Sequence, residues 1–109
     1  MNTLKGEKVA VVGLAASGRA AAQLALEKGG KVHVSDLRTD AATHARGAEL
    51  RALGAEVDLG EHPLDRIAAA ATVVFSPGIR PDTPVLSELA ERGVRWISEP
   101  EFAFRFFHG

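Results

Sequence analysis

The sequence contains no cysteine, which excludes a disulfide framework, a cysteine-ligated zinc site and a catalytic thiol. No apolar run approaches the roughly 18 residues that a membrane-spanning helix needs. Charge of one sign is missing too. Thirteen Lys and Arg stand against fourteen Asp and Glu, a net charge of −1, so no global basic field exists to recruit nucleic acid or an anionic membrane. Methionine, asparagine and glutamine occur once each, a weakly thermophile-like trait. The opening MNTLKGEK holds no apolar segment of signal-peptide type, and a soluble, cytoplasmic, monomeric chain is the expectation. What is present is ordinary for a globular domain: 109 residues, 46% hydrophobic and 25% charged. That is one domain's worth, with enough chain to bury a modest core.

The pattern along the chain alternates strands with helices. Lys8 to Val12 is a short, β-branched run stopped by Gly13, a buried strand. A tight loop at 13–18 leads into an alanine-rich helix from Ser17 or Gly18 to Lys28, followed by Gly29-Gly30. Lys31 to Ser35 predicts a second strand ending at Asp36. Thr39 or Asp40 caps a helix over about Ala41 to Leu53. Ala55 to Leu59 predicts a third strand, Pro63 to Ala71 a short helix, and Thr72 to Phe75 a fourth strand. The loop from Ser76 to Asp82 is dense in turn formers. Thr83 as N-cap, with Pro84 at the first helical position, opens a helix that ends before Gly93. Val94 to Ile97 predicts a fifth strand, and Ser98 with Glu101 forms a capping box for a last helix. The fold class is therefore α/β: a Rossmann-like, doubly wound, five-stranded parallel sheet, of order 3-2-1-4-5 if the chain reverses direction after the third strand. Ligands of such sheets sit beyond the carboxyl ends of the strands at the switch point, where loops 13–18, 36–39 and 76–80 would converge.

Those loops carry the candidate chemistry. Gly13-Leu14-Ala15-Ala16-Ser17-Gly18 is a dinucleotide fingerprint with one change, a methyl at Ala15 where bare backbone is preferred. A helix N-terminus there offers unpaired N–H groups and partial positive charge to a phosphate, and Ser17 adds a hydroxyl. A glycine turn needed only for packing is the plainer alternative. The stretch is not a P-loop: Arg19 and Ala20 stand where Lys and Ser/Thr are required, so no magnesium ligand is present. Asp36 closes the second strand where an acidic residue usually meets a ribose hydroxyl. Arg38 suits a base or a phosphate, or is a solvated surface cation. Gly78 would let backbone approach a ligand after the fourth strand, or is part of a plain turn. The histidines His33, His44, His62 and His108 lack ligand spacing and read as surface or half-buried side chains; no metal site is expected. Phe102, Phe104, Phe106 and Phe107 are core packing or a surface for something outside this chain. The end at His108-Gly109 reads as a cut between domains.

The segments VAVVGLAASGRAA, VSDLR, VVFSPGI and WISEPEFAF, in this order, resemble the N-terminal domain of the Mur ligases, in particular the branch that adds D-glutamate to UDP-N-acetylmuramoyl-L-alanine. VVFSPGI with the downstream SE-x-E-F is the specific part, and the resemblance spans essentially the whole chain. It implies a single domain, residues 1–109, that holds the uridine diphosphate portion of the substrate. Ala16 and Ser17 would contact the diphosphate. Asp36, Leu37 and Arg38 would line the uracil and ribose pocket, and Ser76, Pro77 and Gly78 would close its other side. Leu37 departs from a hydrogen-bonding threonine and suits apolar packing instead. The resemblance implies no cofactor and no catalytic residue in this domain. ATP, magnesium and D-glutamate would be handled by absent domains of a parent that forms an amide through an acyl phosphate. Two rivals stay open: an NAD-binding regulatory domain of a transport or channel protein, and an inert domain that only packs on partners.

Overall fold

The computed structural model describes residues 4–76 and 84–107. Five strands, β1 (Lys8–Val12), β2 (Lys31–Asp36), β3 (Glu56–Leu59), β4 (Thr72–Phe75) and β5 (Ile97–Ser98), form one parallel sheet of order β3-β2-β1-β4-β5. The helices are α1 (Ala16–Glu27), α2 (Ala41–Ala52), α3 (Leu64–Ala68), α4 (Pro84–Glu91) and α5 (Glu99–Phe107). The predicted class and strand order are both observed.

Strand alternation divides the core in two. Val9, Val11, Val32, Val34, Val57 and Val74 face α1, α2 and α5, where Ala21, Ala22, Ala25, Leu50 and Phe102 meet them. The alanine stripe of α1 lets that helix lie close on the sheet. On the opposite face Ala10, Val12, Val73 and Phe75 pack against Ile67 of α3 and Leu86 and Leu89 of α4. A sheet buried on both sides explains why β1 and β4 are continuous apolar runs. The phenylalanines of α5 part company: Phe102 is core and stacks edge-on with Phe106 at 5.3 Å, whereas Phe104 is exposed.

Several boundaries move for one physical reason. The residues that open β3 and β5 in the sequence reading instead close the preceding helices. The Ala55 N–H donates to Leu50 O at 3.0 Å, and the Val94 N–H to Leu89 O at 2.9 Å. These bonds satisfy carbonyls at the helix ends. β5 therefore shrinks to two residues, paired Val74 to Ile97 and Phe75 to Ser98, while Trp96 leans on Phe75 at 5.6 Å. The helix expected over 63–71 is the five-residue α3, because Ala71 already donates to Lys8 O on the way into β4. At α5, Glu101 N–H donates to Ser98 Oγ at 3.3 Å, one half of the capping box. The proposed cap at Thr83 lies outside the described residues.

Candidate functional site at the strand ends

The carboxyl ends of β1, β2 and β4 meet at the switch point, and hydrogen bonds tie their loops together. Gly13 leaves β1 with φ +103°, in the region that favours glycine, and its N–H donates to Ser35 O at 2.8 Å. Gly18 sits against that turn. A Cβ built on it would lie 1.9 Å from Gly13 O, so the first turn of α1 rests on the backbone of the loop before it. Ala15 is the N-cap of α1, with extended φ −77° and ψ −177° and no side-chain cap. This conformation is open to any residue, so the methyl at the middle fingerprint position costs no backbone strain. It narrows the approach of a ligand rather than distorting the loop. α1 has no acidic residue in its first turn. Its leading N–H groups at Ala16, Ser17 and Gly18 precede the first helical hydrogen bond, from Arg19 N–H to Ala15 O at 2.9 Å.

Asp36 is the hub. Its side chain is only 6% exposed, and each oxygen accepts two hydrogen bonds. Oδ2 takes the Leu14 N–H at 2.7 Å and Arg38 Nη2 at 2.8 Å. Oδ1 takes the Arg38 N–H at 2.8 Å and Arg38 Nε at 3.1 Å. Burial alone would raise its pKa. The Arg38 guanidinium, the two backbone N–H groups and the Arg38 charge outweigh that and hold it at about 2. An ionised carboxylate has about four acceptor positions, all filled here. A ribose hydroxyl reaches Asp36 only by displacing the guanidinium. Arg38 can make that exchange, because its own side chain is 53% exposed.

The remaining expected residues take definite places. The Ser17 hydroxyl meets the Ser76 hydroxyl at 3.2 Å, which joins the start of α1 to the end of β4; Ser76 is buried, and its N–H donates to Val12 O at 3.1 Å. Ala16 is exposed beside them. Leu37 is exposed and lines a groove of about 260 Å³ with His62, Leu64, Pro84, Val85 and Glu88. Pro77 and Gly78 lie outside the described residues. The structure thus brings the described parts of all three loops together.

Two groups at the site escaped the sequence reading. Arg46 of α2 reaches Leu14 O through Nη1 at 3.4 Å. His62 Nδ1 lies 2.7 Å from Ser35 Oγ, and burial pushes its pKa below the ordinary imidazole value although the Asp36 charge opposes this. Neither carries a local motif; each is placed by the packing of an element distant in sequence. His33, read as half-buried at most, is buried and pairs through Nε2 with Asp58 at 2.8 Å.

Chemically, the arrangement offers helix-start amides unpaired among the described residues and a hydroxyl for a phosphate group, an exposed cation, and an apolar groove beside them. The family model described as Mur ligase MurD-like, N-terminal domain, matches residues 7–98. A UDP-N-acetylmuramoylalanine–D-glutamate ligase from Desulfatibacillum aliphaticivorans is 42% identical over 103 residues, 94% of this chain and 23% of that protein. The ligase of the same name from Thermobifida fusca is 44% identical over 102 residues, 94% of this chain and 22% of its own length. Among solved structures, a murein peptide ligase from Psychrobacter arcticus superposes with a TM-score of 0.78 at 19% identity, over 93% of this chain and 21% of that one, which speaks for the fold. The chain therefore spans less than a quarter of the length of these relatives.

Proposed function

This chain belongs to the Mur ligases as a MurD-like N-terminal domain, and on that footing we propose that it holds the uridine diphosphate end of UDP-N-acetylmuramoyl-L-alanine. The observation that carries the reading is the junction at the switch point, where Ser17 bonds Ser76 and Leu14 bonds Asp36 beside the uncapped start of α1. The diphosphate lies against the Ala16 and Ser17 amides, where the helix dipole and free N–H groups favour negative charge. The ribose sits over the tip of β2. Arg38 leaves one of its bonds to Asp36 for a phosphate oxygen or the face of the base. Ser76 closes the far side.

In the parent enzyme, ATP phosphorylates the L-alanyl carboxylate to an acyl phosphate. The amine of D-glutamate attacks that carbonyl, phosphate leaves, and an amide forms, a step of peptidoglycan precursor synthesis. ATP and magnesium belong to the parts of the enzyme outside this chain. The contribution of this domain is positioning: an anchored nucleotide presents the far carboxylate to the reaction centre at high effective concentration.

Titration of the chain with UDP, UDP-N-acetylmuramoyl-L-alanine, NADH and ATP, followed by backbone amide NMR, tests the reading. The uridine compounds are expected to shift Ala16, Ser17 and Arg38. Preference for NADH, or silence with every compound, would sink it. Arg38→Ala is expected to weaken UDP binding by about 1–2 kcal/mol by calorimetry, the worth of a charge-assisted hydrogen bond. Ser17→Ala is expected to cost less, about 0.5 kcal/mol, because the neighbouring amides remain.

A further inference from the structure

The groove next to Arg38 holds a histidine that the reading above leaves without a role. Among the described residues that line it, Leu37, Leu64, Pro84 and Val85 are apolar, and the polar exceptions are His62 and Glu88. Such a groove suits a flat ring that is apolar on its faces and polar along its edge. His62 is anchored from behind. Its Nδ1 is committed to Ser35 Oγ at 2.7 Å, and Ser35 is fully buried in β2 next to Asp36. This bond sets the orientation of the imidazole. Nε2 is the remaining polar atom of the ring. It belongs to a half-buried residue that lines the groove.

We propose that His62 positions the pyrimidine base, its Nε2 hydrogen-bonding the polar edge of a ring laid against Leu37. The Ser35 hydroxyl can donate to Nδ1 or accept from it, so Nε2 presents an N–H or a lone pair as the base requires. A pyrimidine edge offers both carbonyl acceptors and a ring N–H. Burial lowers the pKa of the imidazole and so favours the neutral form, the one that has that choice. This inference rests on the nucleotide reading and adds a contact that the three loop motifs do not contain.

The two nitrogens can be tested separately. His62→Asn places an amide near the position of Nδ1, retaining a partner for Ser35 while removing the distal group. His62→Gln places its amide near Nε2. The probes are UDP and inorganic pyrophosphate, which lacks the base, with a thermal melt to confirm that each variant folds. His62→Asn is expected to bind UDP about 5-fold more weakly, as for loss of one hydrogen bond, with pyrophosphate affinity unchanged. His62→Gln is expected to stay within about 2-fold of the parent chain. In the parent chain, the ¹⁵N resonance of His62 Nε2 is expected to move with UDP and not with pyrophosphate. Unchanged UDP affinity in His62→Asn, or an equal loss toward both probes, would overturn the proposal. A parent chain that binds pyrophosphate and UDP equally would overturn it too, because the base would then contribute nothing. A parent chain that binds neither probe would remove the nucleotide reading itself, and this contact with it.

Discussion

Gly18→Ala is expected to lower the stability of the chain by at least about 3 kcal/mol, the upper part of the range for overpacking. A methyl there would sit 1.9 Å from the carbonyl oxygen of Gly13, well inside contact distance. The obstacle is backbone, so no side-chain rotation relieves it. Either the first turn of α1 lifts away from the loop or the Gly13 peptide turns, and both pull on neighbours. The Gly13 N–H is bonded to Ser35 O, and the adjoining Leu14 N–H to Asp36. For a chain of this length the loss corresponds to a fall in melting temperature of about 12 °C or more. Thermal denaturation checks it, and a fall of only about 2 °C would show that the close approach is not needed. The same variant should lose UDP binding even at temperatures where it stays folded, because the leading amides no longer line up.

The second large effect concerns Asp36. Its carboxyl titrates at about 2 in the folded chain against 3.8 ordinarily. A depressed folded value means the unfolded chain binds the proton more readily. The contribution is therefore fully present above about pH 4, and it is lost as pH falls through about 2. Its size at neutral pH is about 2 kcal/mol. Asp36→Asn removes the charge and turns an amide N–H₂ toward groups that are themselves donors, Leu14 N–H or the Arg38 guanidinium. The expected cost at pH 7 is about 2–3 kcal/mol, most of it from a buried N–H left without an acceptor. In urea denaturation at pH 7, 4 and 3, the gap between parent and variant should narrow as the pH falls. A gap that stays constant would mean that the carboxylate charge does not hold the loop.

Both predictions concern residues that stand out in the amino-acid string, yet for reasons the string states incompletely. Gly13 and Gly18 are legible as a fingerprint because a strand, a tight turn and a helix leave room for little else at those positions. Asp36 is legible because it ends an alternating strand. That its four acceptor positions are filled by Arg38 and Leu14 is not legible, because the Leu14 amide lies 22 residues away and arrives only when β1 and β2 pair. The same holds for Ser17 and Ser76, 59 residues apart and brought together by the neighbouring of β1 and β4. His62 follows β3 in a stretch without local signal, and the sheet alone delivers it to Ser35.

Local periodicity and turn residues by themselves determined the alternation of strands and helices and the end of the sheet where a ligand would go. These are consequences of short-range sterics and of which side chains must leave water. Tertiary structure decided which polar groups at that end are already satisfied by one another and which remain open. Hydrogen-bond partners are chosen by distance in space, and parallel pairing brings the ends of strands together across stretches of chain whose spacing in sequence carries no trace of the encounter.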